Sequence, residues 1–578
     1  MLANAIPHRM TPVPPRRRRR AAKSIGVARS NSKPAAVNAD DLARLRGLLT
    51  AEPASPRWLF HIAWLLVSRH RLDEALAWSR RLLAVDGTHA QILAPMSHAL
   101  CGLGMMTEAI AAIRRCLVFI PADPGVLSCL LYALQATGRL TEAVVPGQRS
   151  LLLNPQHLDT LSNLSAVLCS LKRVDEGMAC LRQALRIHPE HPGSLMNLAS
   201  FYYQKGDLAA SAGLCRRVLA QTPADAGAYA NQGTATLDQG RSRDAILLYR
   251  RAVTLAPANA DANMYAGMAY LRLGGFGTGW DLYDWRLRGG TAVSPQPRFR
   301  QPQWDGGEID GKTILLHYEQ GLGDTLQFSR YAPLVARQAK VVLAVQRPLV
   351  KLLRTLPGNI EVIGEGDPLP PFDLHCPLLS LPRLFRTTAR DIPAAGAYLA
   401  ADPGRLADWT ARIAGRRPRI GLAWSGNPQH VADHRRTVPL SKLLPLIWNS
   451  GADWHAVQKD LRPEDRRLVA ATPNLTWHGD RLADFQDTAA LISALDLVIS
   501  VDTSVAHLAG ALGRPTWLML PYAPDWRWLE ERDDSPWYAC FRLFRQARIG
   551  DWDEVIAQLA AHLAAFSRPA SPDDSWDS

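Results

Sequence analysis

Residues 138–155 read GRLTEAVVPGQRSLLLNP, and residues 240–257 read GRSRDAILLYRRAVTLAP. Each stretch opens on Gly, carries a small residue five positions on and closes on Pro twelve positions later. Working outward from them, the small residues Ala75, Ala109, Ala143, Gly177, Ser211 and Ala245 recur every 34 positions. Pro121, Pro155, Pro189, Pro223 and Pro257 keep the same step, as do Gly104, Gly138, Gly206, Gly240 and Gly274. Apolar residues between these marks fall at helical spacing, so each unit predicts two helices. Gly ends the first helix in a tight turn, the small residue lets the second pack close, and Pro stops it.

A self-similar period of this length signals a stacked-repeat architecture. The pattern resembles the tetratricopeptide repeat over residues 41–288. Such helix pairs stack into a superhelix whose first helices line a concave groove. Asn163, Asn197 and Asn231 are also 34 apart, near the middle of those first helices, while Cys129 and Tyr265 hold the neighbouring rungs. An amide offers both a donor and an acceptor, so stacked Asn side chains can hold an extended peptide backbone. The arm of the O-linked N-acetylglucosamine transferases, which this solenoid resembles, has such a ladder. A solvated polar face, or Asn bonded to nearby backbone, is the competing expectation.

The chain has 578 residues, 47% hydrophobic and 21% charged, enough for several domain-sized cores. No apolar run approaches the roughly 18 residues of a membrane-spanning helix, so no transmembrane segment is expected. Net charge is +13, but residues 1–40 hold nine Lys and Arg against one acid, Asp40. A leader of this composition, with Pro7, Pro12, Pro14, Pro15 and Pro34, predicts a disordered basic tail. The body is nearly balanced, so no specific nucleic-acid surface is implied. Eight Cys without a C-x-x-C pair point to neither a metal site nor a disulfide framework, and a reducing cytoplasm fits.

Residues 275–290, GFGTGWDLYDWRLRGG, predict a capping helix whose Trp280, Tyr283 and Trp285 cover the last apolar face. A Pro-rich linker, 289–308, follows. Beyond it, β-rich runs alternate with helical patterns, which predicts parallel sheets with crossover helices. TILLHY, VVLAVQ and EVIG form a first group; RIGLAW, DWHAVQ, LVISVD and TWLMLP form a second. The expected fold class is thus an α-solenoid followed by an α/β module of two Rossmann-like halves, 309–404 and 405–567, with a disordered tail at 568–578. Ligands in such folds lie beyond the C-terminal ends of strands.

Two loops there attract attention. HYEQGLGDTLQF, 317–328, puts Gly321 and Gly323 before Asp324 at a helix start, where backbone can approach a ligand and a carboxylate can also simply cap the helix. ISVDTSVAHLAGALGRP, 499–515, brings Asp502, Thr503, Ser504 and His507 to another helix start, which suits a diphosphate. Helix capping by Asp502 or Thr503, and packing by His507, is the alternative.

EQGLGDTLQFSRYAPLV, GLAWSGNP followed by DHRRTVPL, and VDTSVAHLAGALGRP together resemble glycosyltransferase family 9, which includes the lipopolysaccharide heptosyltransferases. That resemblance implies a GT-B fold and an inverting, metal-independent transfer from a nucleotide-diphosphate sugar, with no other cofactor. It makes Asp324 the candidate general base, with Glu319 in reserve, and Gly321 and Gly323 the acceptor loop. Ser425, Gly426 and Asn427 would line the donor pocket, and Arg436 would neutralise the leaving diphosphate. Asp502, Thr503, Ser504 and His507 would hold that diphosphate or the ribose. Absence of an Asp-x-Asp motif near these loops agrees with a metal-free site. Arg436 stands where heptosyltransferases tend to use Lys, a substitution that changes geometry. The implied partners are a nucleotide sugar and a polypeptide or glycan acceptor recruited by the groove. A non-catalytic repeat scaffold with a degenerate nucleotide-binding module is the alternative function. Trp526, Trp528 and Trp537 suit either stacking on a sugar or aromatic packing against the closing helix.

Overall fold

The computed structural model describes residues 39–566 apart from 53, 70, 87–91, 289–298, 394–395, 416–417 and 429–432. The expected leader, the first half of the linker and the expected tail therefore lie outside the described residues. The chain forms an α-solenoid followed by an α/β module with two parallel sheets. Two compact units divide it, one ending at Asn231 and the other beginning at Gln232.

In the first unit the repeat marks do physical work. Gly104, Gly138 and Gly206 take φ of +75°, +76° and +84°, the left-handed turn that glycine adopts without a Cβ penalty. Ala75, Ala109 and Ala143 are fully buried between helices. A Cβ on Gly177 would lie 2.6 Å from Cys169 Sγ and 2.9 Å from the Ser165 carbonyl, so this rung has no room for even an alanine. A further tie joins consecutive repeats. Arg149 Nη2, Gln183 Nε2 and Arg217 Nη2 donate to the carbonyls of Pro121, Pro155 and Pro189 at 3.1, 2.8 and 3.0 Å. Each satisfies a carbonyl left over where the preceding second helix has stopped.

The second unit begins with helices Ser242–Leu255, Ala260–Arg272 and Phe276–Tyr283. The sequence predicts one solenoid to residue 288, but these last helices belong to the compact unit of the sheets. Aromatic packing is the reason. Trp280 lies edge-on to Trp526 and Trp537 at 5.2 and 6.3 Å, and its Nε1 donates to the Thr387 carbonyl at 2.9 Å. Trp280 and Tyr283 thus enter a core shared with the α/β module.

Among the described residues ten strands follow: β1 Thr313–His317, β2 Lys340–Val345, β3 Ile360–Gly364, β4 Leu374–Pro377, β5 Arg419–Ala423, β6 Asp453–Ala456, β7 Leu475–Trp477, β8 Leu497–Val501, β9 Thr516–Leu520 and β10 Phe541–Arg545. They build a four-stranded sheet, β3-β2-β1-β4, and a six-stranded one, β10-β9-β8-β5-β6-β7, with all pairs parallel. Every residue of β5 and β8 is buried, as helices on both faces require. The second sheet has the doubly wound order, reversing between β5 and β8; the first reverses between β1 and β4. Ligand crevices open at such reversals, just past the strand ends. The loops after β1, β5 and β8 are the ones that carry the expected site residues.

Candidate functional site

Past β1, the helix Leu322–Phe328 opens with Gly321 and places Asp324 in its first turn. Asp324 Oδ2 accepts from the Gly321 backbone N–H at 2.8 Å, so part of its role is to hold the helix start. Its other oxygen accepts from Arg527 Nη2 at 2.5 Å. Burial pushes the Asp324 carboxyl above its ordinary value, and the Arg527 guanidinium works against that shift. Gly323 sits against the opposite loop: a Cβ there would meet His507 Cδ2 at 2.8 Å. The two glycine-bearing and hydroxyl-bearing loops therefore face each other closely.

Past β8, Thr503 stands at the N-cap of the helix Ser504–Ala511 without a side-chain cap bond. Asp502 does not cap the helix either. Its Oδ2 accepts from Trp528 Nε1 at 2.8 Å, and its backbone carbonyl accepts from Arg436 Nη1 at 2.7 Å. Burial, reinforced by Asp525, raises the Asp502 carboxyl to about 6. His507 follows in the helix Ser504–Ala511. Its Nδ1 pairs with the Tyr538 hydroxyl at 3.0 Å and its ring stacks on Trp528. Burial, with Arg527, Arg330 and Arg436 nearby, holds its pKa far below the usual range. A neutral imidazole brings no charge to a phosphate.

Past β5, Ser425 is buried with its Oγ accepting from Gln458 Nε2 at 3.3 Å, Gly426 is half-buried and Asn427 is exposed. A Cβ on Gly426 would lie 2.5 Å from both Arg436 Nη2 and Asp433 Oδ1, so the glycine is what admits the guanidinium. Arg436 Nε also donates to Asp433 at 3.2 Å, and Arg462 pairs with the same carboxylate. Arg435, its neighbour, pairs with Asp238.

Glu319, the reserve base, is held in a buried ion pair. Both its oxygens accept from Arg286, at 2.8 Å each, and neither side chain has any exposure. Arg286 is held further by Asp284 and Ser380. This buried ion pair ties the segment after the solenoid's last helix to the loop before Asp324.

In the first unit, Asn197 Nδ2 donates to the Ser162 carbonyl at 2.8 Å and to Ser162 Oγ at 3.0 Å. Its amide nitrogen is thus engaged between repeats. Asn163 is half-buried and Asn231 exposed.

The Trp-rich segment holds what motif reasoning missed. Trp526, Trp528 and Trp537 are buried, as expected of packing residues. Between the first two, Arg527 reaches Asp324, Asp525 and Gln327. An arginine flanked by two buried tryptophans was the available signal. Among the described residues no group of three or more His, Cys, Asp and Glu is arranged to hold a metal ion, and no helix is long and apolar enough to cross a membrane.

Comparison with known proteins places these observations. The tetratricopeptide repeat family matches residues 171–226 and 231–276, and glycosyltransferase family 9 (heptosyltransferase) matches residues 483–517. The second match takes in Asp502, Thr503, Ser504 and His507. Protein FlbA of Caulobacter vibrioides is 30% identical over 325 residues, covering 51% of this chain and 54% of that protein. The chain thus spans about half the length of the curated relative it matches. Among solved structures, a tetratricopeptide repeat protein from Parabacteroides merdae aligns at 13% identity and TM-score 0.35, over 41% of this chain and 94% of that one. YrrB, a tetratricopeptide-repeat protein with an unusual peptide-binding site, aligns at 16% identity and TM-score 0.24, over 38% and 95%. This chain is thus similar to tetratricopeptide-repeat proteins over residues 171–226 and 231–276, and to glycosyltransferase family 9 over residues 483–517 of its C-terminal α/β module.

Proposed function

We propose that the chain is an inverting glycosyltransferase that moves a sugar from a nucleotide-diphosphate sugar to a protein, peptide or glycan acceptor in the cytoplasm. The observation that carries this reading is convergence. Loops after β1, β5 and β8, far apart in sequence, bring Asp324, Arg436 and an uncapped helix start to one region at the sheets' reversal points. Asp324 takes the proton from the acceptor hydroxyl as that oxygen attacks the anomeric carbon. The bond to the diphosphate breaks in the same displacement, which inverts the centre. Burial makes Asp324 a stronger base than an ordinary aspartate. Arg436 and the backbone N–H groups at Ser504 receive the charge that builds on the leaving diphosphate. In this reading 309–404 is the acceptor side and 405–567 the donor side, and the solenoid recruits the acceptor, with Asn163, Asn197 and Asn231 as candidate contacts.

One observation favours a second reading, a repeat scaffold whose module no longer turns over: both Asp324 oxygens are already engaged. A thermal-shift and turnover panel of ADP, UDP, GDP, CMP and their sugar conjugates, with and without EDTA, separates the two. A ligand at 100 times its Kd stabilises by about 2.7 kcal/mol. The transferase reading expects an EDTA-insensitive shift with one nucleotide, and nucleotide release from its sugar conjugate when acceptor is present. It also expects Asp324→Asn to bind that nucleotide normally while losing at least about 100-fold in rate. Silence across the panel would leave the scaffold.

A further inference from the structure

Arg527 lies in the short turn Trp526–Trp528 that follows β9, and every nitrogen of its guanidinium donates. Nη2 reaches Asp324 Oδ1 at 2.5 Å, Nη1 reaches Asp525 Oδ1 at 2.8 Å, and Nε reaches Gln327 Oε1 at 2.6 Å. The group stacks 4.2 Å over the Trp526 ring, and the side chain is 7% exposed. Three acceptors in a planar fork are a fit for Arg that Lys cannot reproduce.

The backbone beyond it is strained. Leu529 has φ 54° and ψ −169°, a region that side-chain-bearing residues rarely enter, and Glu531 has φ 56°. Such conformations cost on the order of 1–3 kcal/mol and persist only where the surroundings over-determine them. Here the anchors are Trp526 and Trp528, 2% and 0% exposed. The strained segment thus holds a guanidinium from beyond one sheet against a carboxylate on the loop of the other.

We propose that Arg527 is a positioning residue for the candidate base: it fixes the orientation of the Asp324 carboxylate and supplies the positive charge beside it. The inference rests on the transferase reading above. Asp324 is faced by Arg527 and Asp525 from the segment after β9, by the Gly321 N–H of its own loop and by Tyr283 from the Phe276–Tyr283 helix. Across Gly323 lies His507, held neutral, and Asp502 faces Arg527 as well. Arg527 is the cation that most opposes the effect of burial on Asp324. Without it, the carboxylate would hold its proton to higher pH.

The test uses the full chain and whichever nucleotide sugar turns over in the panel, with rates followed from about pH 5 to 9. Arg527→Gln should move the acid limb of the profile up by about 1–3 pH units and lower the plateau. Arg527→Lys, which keeps the charge without the fork, should restore the limb while leaving the plateau low, and it is the variant to read if the Gln variant does not fold. Affinity for the nucleoside diphosphate should stay within about twofold in both variants, since the proposal gives Arg527 no donor contact. An unmoved acid limb in folded variants, or a diphosphate affinity lost in step with rate, overturns the positioning role. Wild-type protein that turns over no nucleotide sugar, or Asp324→Asn at the wild-type rate, instead overturns the transferase reading and this inference with it.

Discussion

Asp502 ends strand β8 with a buried carboxylate whose proton is held to about pH 6, chiefly by burial and then by Asp525. An unfolded aspartate titrates near 3.9. Because the folded value is the higher one, the associated stability is present in full below the unfolded value and is lost as pH rises through about 6. At neutral pH the ionised Asp502 is therefore a cost to the fold of about 2–3 kcal/mol. Asp502→Asn keeps an oxygen for Trp528 Nε1 and removes that cost. Melting curves should show the variant more stable than wild type at pH 7.5 and level with it near pH 4; equal melting at both would remove the titration from the account. A carboxylate kept at such expense next to Arg436 and Arg527 is the kind of local conflict that functional sites retain.

The helical repeat contains one exception to its own rule. Gly138 and Gly206 turn the chain in the left-handed conformation, but between them, on the same 34-residue step, stands Lys172 with φ 65°. Its N–H still reaches the Cys169 carbonyl at 3.0 Å, so the turn forms at the expense of a Cβ in the wrong region. Lys172→Gly should raise stability by about 0.5–1 kcal/mol despite the greater freedom of the unfolded glycine, as urea unfolding would measure. A loss of stability would show that the lysine side chain makes a contact worth more than the strain. Among the strands, β4, β7 and β10 escaped the sequence reading. β4 is four residues beside prolines, β7 is three residues, and β10 mixes Phe541, Leu543 and Phe544 with Arg542 and Arg545 without a clear period. Each is completed by pairing with a neighbour and not by its own propensity.

At the scale of the whole chain, the boundary between compact units lies within the repeats and not after them. Trp280 is the residue to test. It is 2% exposed, touches Trp526 and Trp537, and donates to Thr387. Trp280→Ala should cost about 3–5 kcal/mol. Hydrogen exchange on the full chain should then show lost protection in the Phe276–Tyr283 helix and around Trp526–Trp537, with helices Met106–Phe119 and Leu140–Leu153 unchanged. Protection lost only in the repeats would mean that Trp280 serves the solenoid alone.

Periodicity settled from sequence what periodicity can: a 34-residue step of Gly, small residue and Pro encodes paired helices because each mark acts within its own turn. Short apolar runs likewise encoded seven of the strands, and glycine-rich strand ends marked the loops that meet at the sheet reversals. What only the tertiary structure decided were partnerships across long separations. Arg527 stands 203 residues from Asp324, and Arg286 stands 33 from Glu319. Neither pairing leaves a local pattern, since an arginine reads the same whether it faces water or a buried carboxylate. Folding leaves the Glu319 side chain with no exposure beside Arg286 and the Asp324 side chain 18% exposed beside Arg527, a difference of desolvation that no spacing of residues records.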